Sequence, residues 1–271
     1  MQTLHVNGYD MAYLEVGPKD ARPLVCVHGS LCDFRIWSPV LGPLSRSHRV
    51  VAVSLRHCFP EHWDGTGDGY SIAQHVLDTI AFLEAFGSGP ADLLGHSRGG
   101  HIAFRVAQRR PDLLRKLILA EPGGAPDETL VSGLPSGRSP FAAMLEASAA
   151  KIEAGDLDGG LAAFMEGIEG PKGWTRLSAV AKQQLRDNAY TLAGQAREAR
   201  PLFTRADAES IAVRTLLIGG GASRGILPAV LRALAQYIPD SRAVMIPNTT
   251  HPMFEQAPQE FSKHVMEFLG E

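Results

Sequence analysis

The sequence predicts an α/β fold: a mostly parallel sheet with an antiparallel N-terminal hairpin, helices on both faces and one inserted helical segment. Three observations carry that expectation. Short apolar runs alternate with amphipathic stretches over residues 24–120 and again over 215–269, the strand signal vanishes over 127–211, and Gly95-His96-Ser97-Arg98-Gly99 joins an apolar run to a helical one. Residues 1–126 and 212–271 are therefore expected to form a core domain, with 127–211 as a helical cap inserted into it.

The elements follow in order. Residues 3–6 and 11–16 alternate in polarity around Asn7-Gly8-Tyr9-Asp10, which predicts a hairpin. The runs 24–27, 50–53, 91–94 and 117–120 are almost continuously apolar, as strands covered on both faces must be. Helical spacing over 34–45, 71–86 and 100–109 separates them, so the strands pair in parallel through right-handed crossovers. Within the insertion, helices are expected over 140–154, 157–169 and 177–199. Strands resume at 215–218 and 243–246 around a helix at 228–238, and 258–269 forms a closing amphipathic helix. The glycine-bearing loops 65–69 and 133–137 are expected to be the most mobile.

Composition narrows the function classes. A chain of 271 residues with 45% hydrophobic content can bury a sizeable core. Its net charge of -3, with basic residues scattered, leaves no electrostatic footprint for nucleic acid or a membrane surface. A small neutral molecule is the expected partner, and homo-oligomers stay open. Cys26, Cys32 and Cys58 lack metal-ligand spacing and read as reduced thiols. No basic and apolar leader pattern opens the chain and no apolar run reaches membrane length, so a cytoplasmic location is expected. Gly219-Gly220-Gly221 does not complete a dinucleotide fingerprint, and Asp64 to Asp68 lacks the other ligands of a calcium loop. With neither H-E-x-x-H nor C-x-x-C in the chain, no metal or cofactor is implied.

Residues 95–99 fit the G-x-S-x-G nucleophile elbow in the strand-to-helix context that the motif requires. Gly95 and Gly99 leave room for strand and helix to approach, and the turn thrusts Ser97 out of the sheet. Serine needs a base to take its proton. His251 fits best, since it follows the last strand in Ile246-Pro247-Asn248-Thr249-Thr250-His251-Pro252, and imidazole exchanges protons near neutral pH. His96 is adjacent in sequence, but the elbow turns neighbouring side chains apart; His101 reads as a packed or solvated helix residue and His28 as loop structure.

The order of hairpin, His28-Gly29, elbow, helical insertion and late histidine resembles the serine-nucleophile branch of the α/β-hydrolase superfamily over almost the whole chain. That resemblance implies hydrolysis of a small, largely apolar carboxylic ester or lactone through an acyl-enzyme. It also implies two backbone oxyanion donors: Arg98, after the nucleophile, and Ser30 in the loop after the third strand, with Leu31 the nearby alternative. The family pattern places an aspartate after the strand at 215–218, yet Gly219 to Gly225 contains no carboxylate. Glu121, at the tip of the strand following the elbow strand, is the expected triad acid, because its extra methylene lets it reach the histidine. Fungal zearalenone lactonases are similar in using a glutamate at this location. Capping of the next turn, or pairing with an arginine, is the alternative role for Glu121.

Other outcomes remain open. A serine at the elbow argues against the dehalogenase and epoxide hydrolase branches, which need an aspartate nucleophile. Carbon-carbon bond hydrolysis and cofactor-free perhydrolysis would use the same constellation, and a hydrolase-fold receptor with little turnover is the non-enzymatic alternative. Leu31, Asp33, Arg35, Arg56 and His57 fall just beyond strands, where open α/β sheets bind ligands, and form the expected pocket with Trp174. For the charged members, an ion pair bracing the loops is the competing role. Phe141, Met144, Leu145, Phe164, Met165 and Tyr190 are expected to form the core of the insertion or the substrate wall.

Overall fold

In the computed structural model, which describes residues 1–87, 89–133 and 139–271, β1 (Gln2–Val6) and β2 (Tyr9–Val16) form the N-terminal hairpin. The remaining strands are β3 (Pro23–Val27), β4 (Arg49–Val53), β5 (Ala91–His96), β6 (Leu114–Ala120), β7 (Thr215–Gly220) and β8 (Ser241–Ile246). All eight join one sheet in the order β1-β2-β4-β3-β5-β6-β7-β8. The pairs β1–β2 and β2–β4 are antiparallel and every other pair is parallel.

Consecutive strand residues point to opposite faces, and both faces are covered. Val25, Val27, Leu93, Leu117 and Leu119 pack on α2 (Ile72–Phe86), α3 (Arg98–Arg109) and α9 (Ile226–Tyr237), through Val76, Phe82, Phe104 and Leu231. Leu24, Cys26, Leu94, Ile118 and Ile218 pack on the other side against α1 (Ser38–Leu44), α10 (Met253–Gln256) and α11 (Pro258–Gly270), with Trp37, Phe254 and Phe261 at the contact. Each such large side chain contributes about 1.5–3 kcal/mol by leaving water. That two-sided burial is what fixes the C-terminal edge of the sheet.

Between β6 and β7 the chain forms α4 (Pro140–Glu153), α5 (Leu157–Glu169), α6 (Ala179–Asp187), α7 (Thr191–Arg197) and α8 (Arg205–Glu209). Leu145, Ile152, Leu161, Phe164 and Leu192 build a separate apolar cluster, which receives Leu31 from the loop after β3. Phe203, Ala208 and Ile211 pack into the sheet's own core, so the return from the insertion belongs to the body beneath it.

Three local expectations are corrected. The stretch 34–45 begins as a 3-10 turn over Phe34–Trp37 that Asp33 caps, and only then becomes α1. The single helix expected over 177–199 breaks into α6 and α7 because Asn188 turns inward: its amide donates to Asp33 Oδ2 at 2.8 Å and its carbonyl oxygen accepts the Phe59 N–H at 2.8 Å. The short helix α8 went unforeseen because five residues carry no periodicity; its signal is the capping box of Thr204 and Asp207. Of the loop expected over 133–137, residues 134–137 lie outside the described residues. The cysteines are free thiols, and no described helix is long and apolar enough to cross a membrane.

Candidate active site

Ser97 occupies the turn between β5 and α3 with φ 52° and ψ -119°, a strained conformation for a residue bearing a side chain. The neighbouring backbone over-determines it. The Ser97 N–H donates to Ala120 O at 3.0 Å, and Ser97 O accepts from Gly123 N at 2.7 Å and His101 N at 3.1 Å. A Cβ on Gly95 would strike the carbonyl of Gly99, and one on Gly99 the carbonyls of Val27 and His28. Both glycines are required for the approach of strand and helix.

Glu121 ends β6 one strand away, at φ 38°, and its side chain is fully buried. Oε2 accepts from His251 Nδ1 at 2.8 Å and Oε1 accepts from the Gly220 N–H at 2.9 Å. Burial would raise this carboxyl, but the bonds from His251 and Gly220 outweigh it and hold the group below its ordinary range. Ser223 Oγ is buried close by and makes no hydrogen bond of acceptable geometry. The glycine run at the end of β7 is thus not an empty version of the usual acid loop. Gly220 supplies a backbone donor to Glu121, and a Cβ there would meet the carbonyls of Thr249 and Thr250, so its bareness admits the histidine loop.

His251 sits in the loop after β8, which Ala222 N–H to Thr249 O and Thr250 N–H to Gln256 Oε1 hold in place. With Nδ1–H committed to an ionised glutamate, Nε2 is left as the proton acceptor of the ring. Ser97 Oγ and His251 make no hydrogen bond among the described residues. His96 is brought in unexpectedly. Its ring lies 4.5 Å from that of His251, and Nε2–H donates to the His251 carbonyl at 3.0 Å. Burial, with the nearby His251 adding to it, pushes the His96 imidazole well below its ordinary pKa, so it is a neutral support beneath the loop.

His28 and His101 are structural. His28 accepts the Leu55 N–H and bonds Gly29 O, and burial lowers it to about 4. His101 stacks on Phe203 and bonds Gly123 O.

Neither Ser30 N–H nor Arg98 N–H makes a hydrogen bond among the described residues. A Cβ on Gly29 would lie 3.1 Å from Ser97 Cβ, and one on Gly123 3.2 Å from both Arg98 N and Ser97 Oγ, so both peptides border the serine. Leu31, at φ 59°, turns its side chain into the apolar cluster of the insertion.

The charged residues expected in a pocket are engaged elsewhere. Asp33 is buried and pairs with Arg35, which reaches on to Asp187 at 2.8 Å. Arg56 pairs with fully buried Asp78 and lies over the Tyr9 ring. His57 bonds Glu61 at 2.8 Å and stacks on Trp63 at 4.3 Å. None of these contacts Ser97, Glu121 or His251 among the described residues, because a position at the sheet edge does not set the direction of a side chain. Trp174 packs on the insertion cluster under Lys182 and Arg186. An open cleft of about 430 Å³ lies between the 64–68 loop and the insertion, lined by Asp64, Asp68, Glu153 and Tyr190 and apart from the serine.

Comparison with known proteins bears on this arrangement. The Alpha/beta hydrolase family matches residues 24–264. A haloalkane dehalogenase of Bradyrhizobium diazoefficiens is 32% identical over 122 residues, covering 43% of this chain and 37% of that protein. The chain thus spans well under half the length of that curated relative. The enol-lactonase of Burkholderia xenovorans LB400 superposes with a TM-score of 0.79 at 22% identity, covering 99% of this chain and 100% of the other. The esterase RhEst1 of Rhodococcus sp. ECU1013 gives 0.80 at 21% identity, covering 100% and 98%. Likeness at that identity speaks for the fold alone.

Proposed function

The chain belongs to the alpha/beta hydrolase family, and from that premise we propose that it is a serine hydrolase cleaving a small, largely apolar carboxylic ester or lactone. Ser97 Oγ attacks the carbonyl while His251 Nε2 takes its proton, and Glu121 fixes the ring and balances the imidazolium. The N–H groups of Ser30 and Arg98 receive the oxyanion, the second backed by the N-terminal dipole of α3. The tetrahedral intermediate collapses as His251 returns the proton to the leaving oxygen, and water then cleaves the acyl-serine by the same route. The apolar preference rests on the insertion cluster, which brings leucine and phenylalanine side chains down onto Leu31, in the loop that carries Ser30.

The observation that carries this reading is the 2.8 Å bond from His251 Nδ1 to buried Glu121, on the same sheet edge as the strained Ser97. Wild-type protein should label at Ser97 with a fluorophosphonate and hydrolyse short p-nitrophenyl esters, and Ser97→Ala should lose both. Persistent turnover by Ser97→Ala would remove the mechanism. A panel of esters and lactones then sorts the substrate class.

A further inference from the structure

Helix α7 and its C-cap contact both Ser30 and Arg98. Gln195, in its last turn, is buried, and its Oε1 accepts a 2.6 Å hydrogen bond from Ser30 Oγ. Three residues on, Glu198 caps the helix and grips the guanidinium of Arg98 with both carboxylate oxygens, one of them 2.9 Å from Nη2. The side chains of this ion pair are 0% and 2% exposed. Ser30 and Arg98 are the residues whose backbone N–H groups receive the oxyanion in the serine-hydrolase reading.

The rest of the setting stiffens this link. Glu198 also accepts the Ile72 N–H at 2.9 Å and a bond from Arg200 at 2.9 Å, so helix α2 and the chain leaving the insertion share the same carboxylate. Arg98 lies over the Tyr70 ring at 4.5 Å. A Cβ on Gly194 would meet Trp63 and Tyr70 at 2.8–2.9 Å, so α7 approaches the body as closely as a bare backbone allows. Gln195 Nε2 meanwhile is buried without a partner.

We propose that α7 is a brace for the oxyanion site: Gln195 and Glu198 are positioning residues that hold the Ser30 and Arg98 peptides at a fixed separation across Ser97. The inference rests on the serine-hydrolase reading above. Oxyanion stabilisation depends on donors preset where charge develops, so loosening either peptide weakens the transition state more than the ground state. The insertion thereby bears on rate as well as on substrate fit.

A trifluoromethyl ketone tests this, because Ser97 Oγ adds to its carbonyl carbon, the carbonyl electron pair moves to oxygen and the serine proton passes to His251. The matching methyl ketone binds without forming that oxyanion. Gln195→Leu and Ser30→Ala should each weaken the trifluoromethyl ketone about tenfold and lower kcat about tenfold, with KM and the methyl ketone changed less than about twofold. Their double variant should be no worse than either single one, since both cut the same link. Glu198→Gln should act likewise where it folds; the other two carry the test if it does not. Equal weakening of both ketones, or no change in Gln195→Leu and Ser30→Ala, overturns the brace. Should the wild type bind the two ketones alike, and Ser97→Ala leave that unaltered, the serine-hydrolase reading itself fails and the brace with it.

Discussion

Glu121 and Glu198 both have buried side chains, and their partners differ in kind. Glu121, on the sheet edge, meets His251 and a backbone N–H, and Glu198, at the end of α7, meets Arg98, Arg200 and a second backbone N–H. Burial works to raise both carboxyls, and in both the paired groups win and hold them in the ionised form. An imidazole can take up and release a proton during a reaction, whereas a guanidinium cannot. The same side chain therefore serves a moving charge on one side and a permanent one on the other. That contrast separates a group suited to the chemical step from a group suited to holding its frame.

Substitution should expose the contrast. Glu121→Gln is expected to leave the fold intact and lower kcat by about two to four orders of magnitude, since an amide orients the imidazole poorly and gives the imidazolium no counter-charge. Steady-state kinetics with a p-nitrophenyl ester measures this; a change under about threefold would leave Glu121 a structural role. Glu198→Gln should add to its roughly tenfold loss of kcat a loss of about 3–5 kcal/mol in urea unfolding, because it strands the Arg98 guanidinium in the interior. A loss below about 1 kcal/mol would mean that the Arg98 guanidinium relaxes toward water.

Why one side of this comparison is legible in the sequence and the other is not follows from how each is held. Ser97, Glu121 and His251 end or follow apolar strands whose register a parallel sheet fixes, so finding the strands brings their tips to one edge. Glycines at 219–221 mark the missing aspartate and, through Gly220, the close approach that replaces it. Gln195 and Glu198 lie in an insertion whose docking depends on side-chain contacts across 100 and 165 residues of chain, and no periodicity encodes those. Asn188 illustrates the same limit, since what breaks the helix there is a distant aspartate. His96 lies between the two cases: the elbow turns it from Ser97, and only the folded loop shows that this aims it at the His251 carbonyl.

Acid should act on both glutamates with one sign. Each folded carboxyl is held below its ordinary value, about 4.3 for an unfolded glutamate. Their stabilisation is therefore fully present above that value and is lost as pH falls through the lower folded-state values. Unfolding midpoints measured from pH 6 to pH 3 should fall in the wild type and fall less steeply in Glu198→Gln. Parallel curves would mean that Glu198 takes no part in the acid transition.

The smallest effect is expected where a residue of the same sheet edge contacts neither glutamate directly. His57 bonds Glu61 and stacks on Trp63, and the stack continues from Trp63 to Tyr70 at 5.6 Å, whose ring underlies Arg98. Phe at position 57 keeps the flat ring on Trp63 while deleting the imidazole nitrogens, so a bracing role predicts survival and a substrate-binding role predicts loss. His57→Phe should leave kcat/KM within about twofold for every ester that the wild type hydrolyses. A tenfold rise in KM for polar esters alone would return His57 to the pocket, and would show that the boundary between frame and chemistry lies further from Ser97 than the two glutamates mark it.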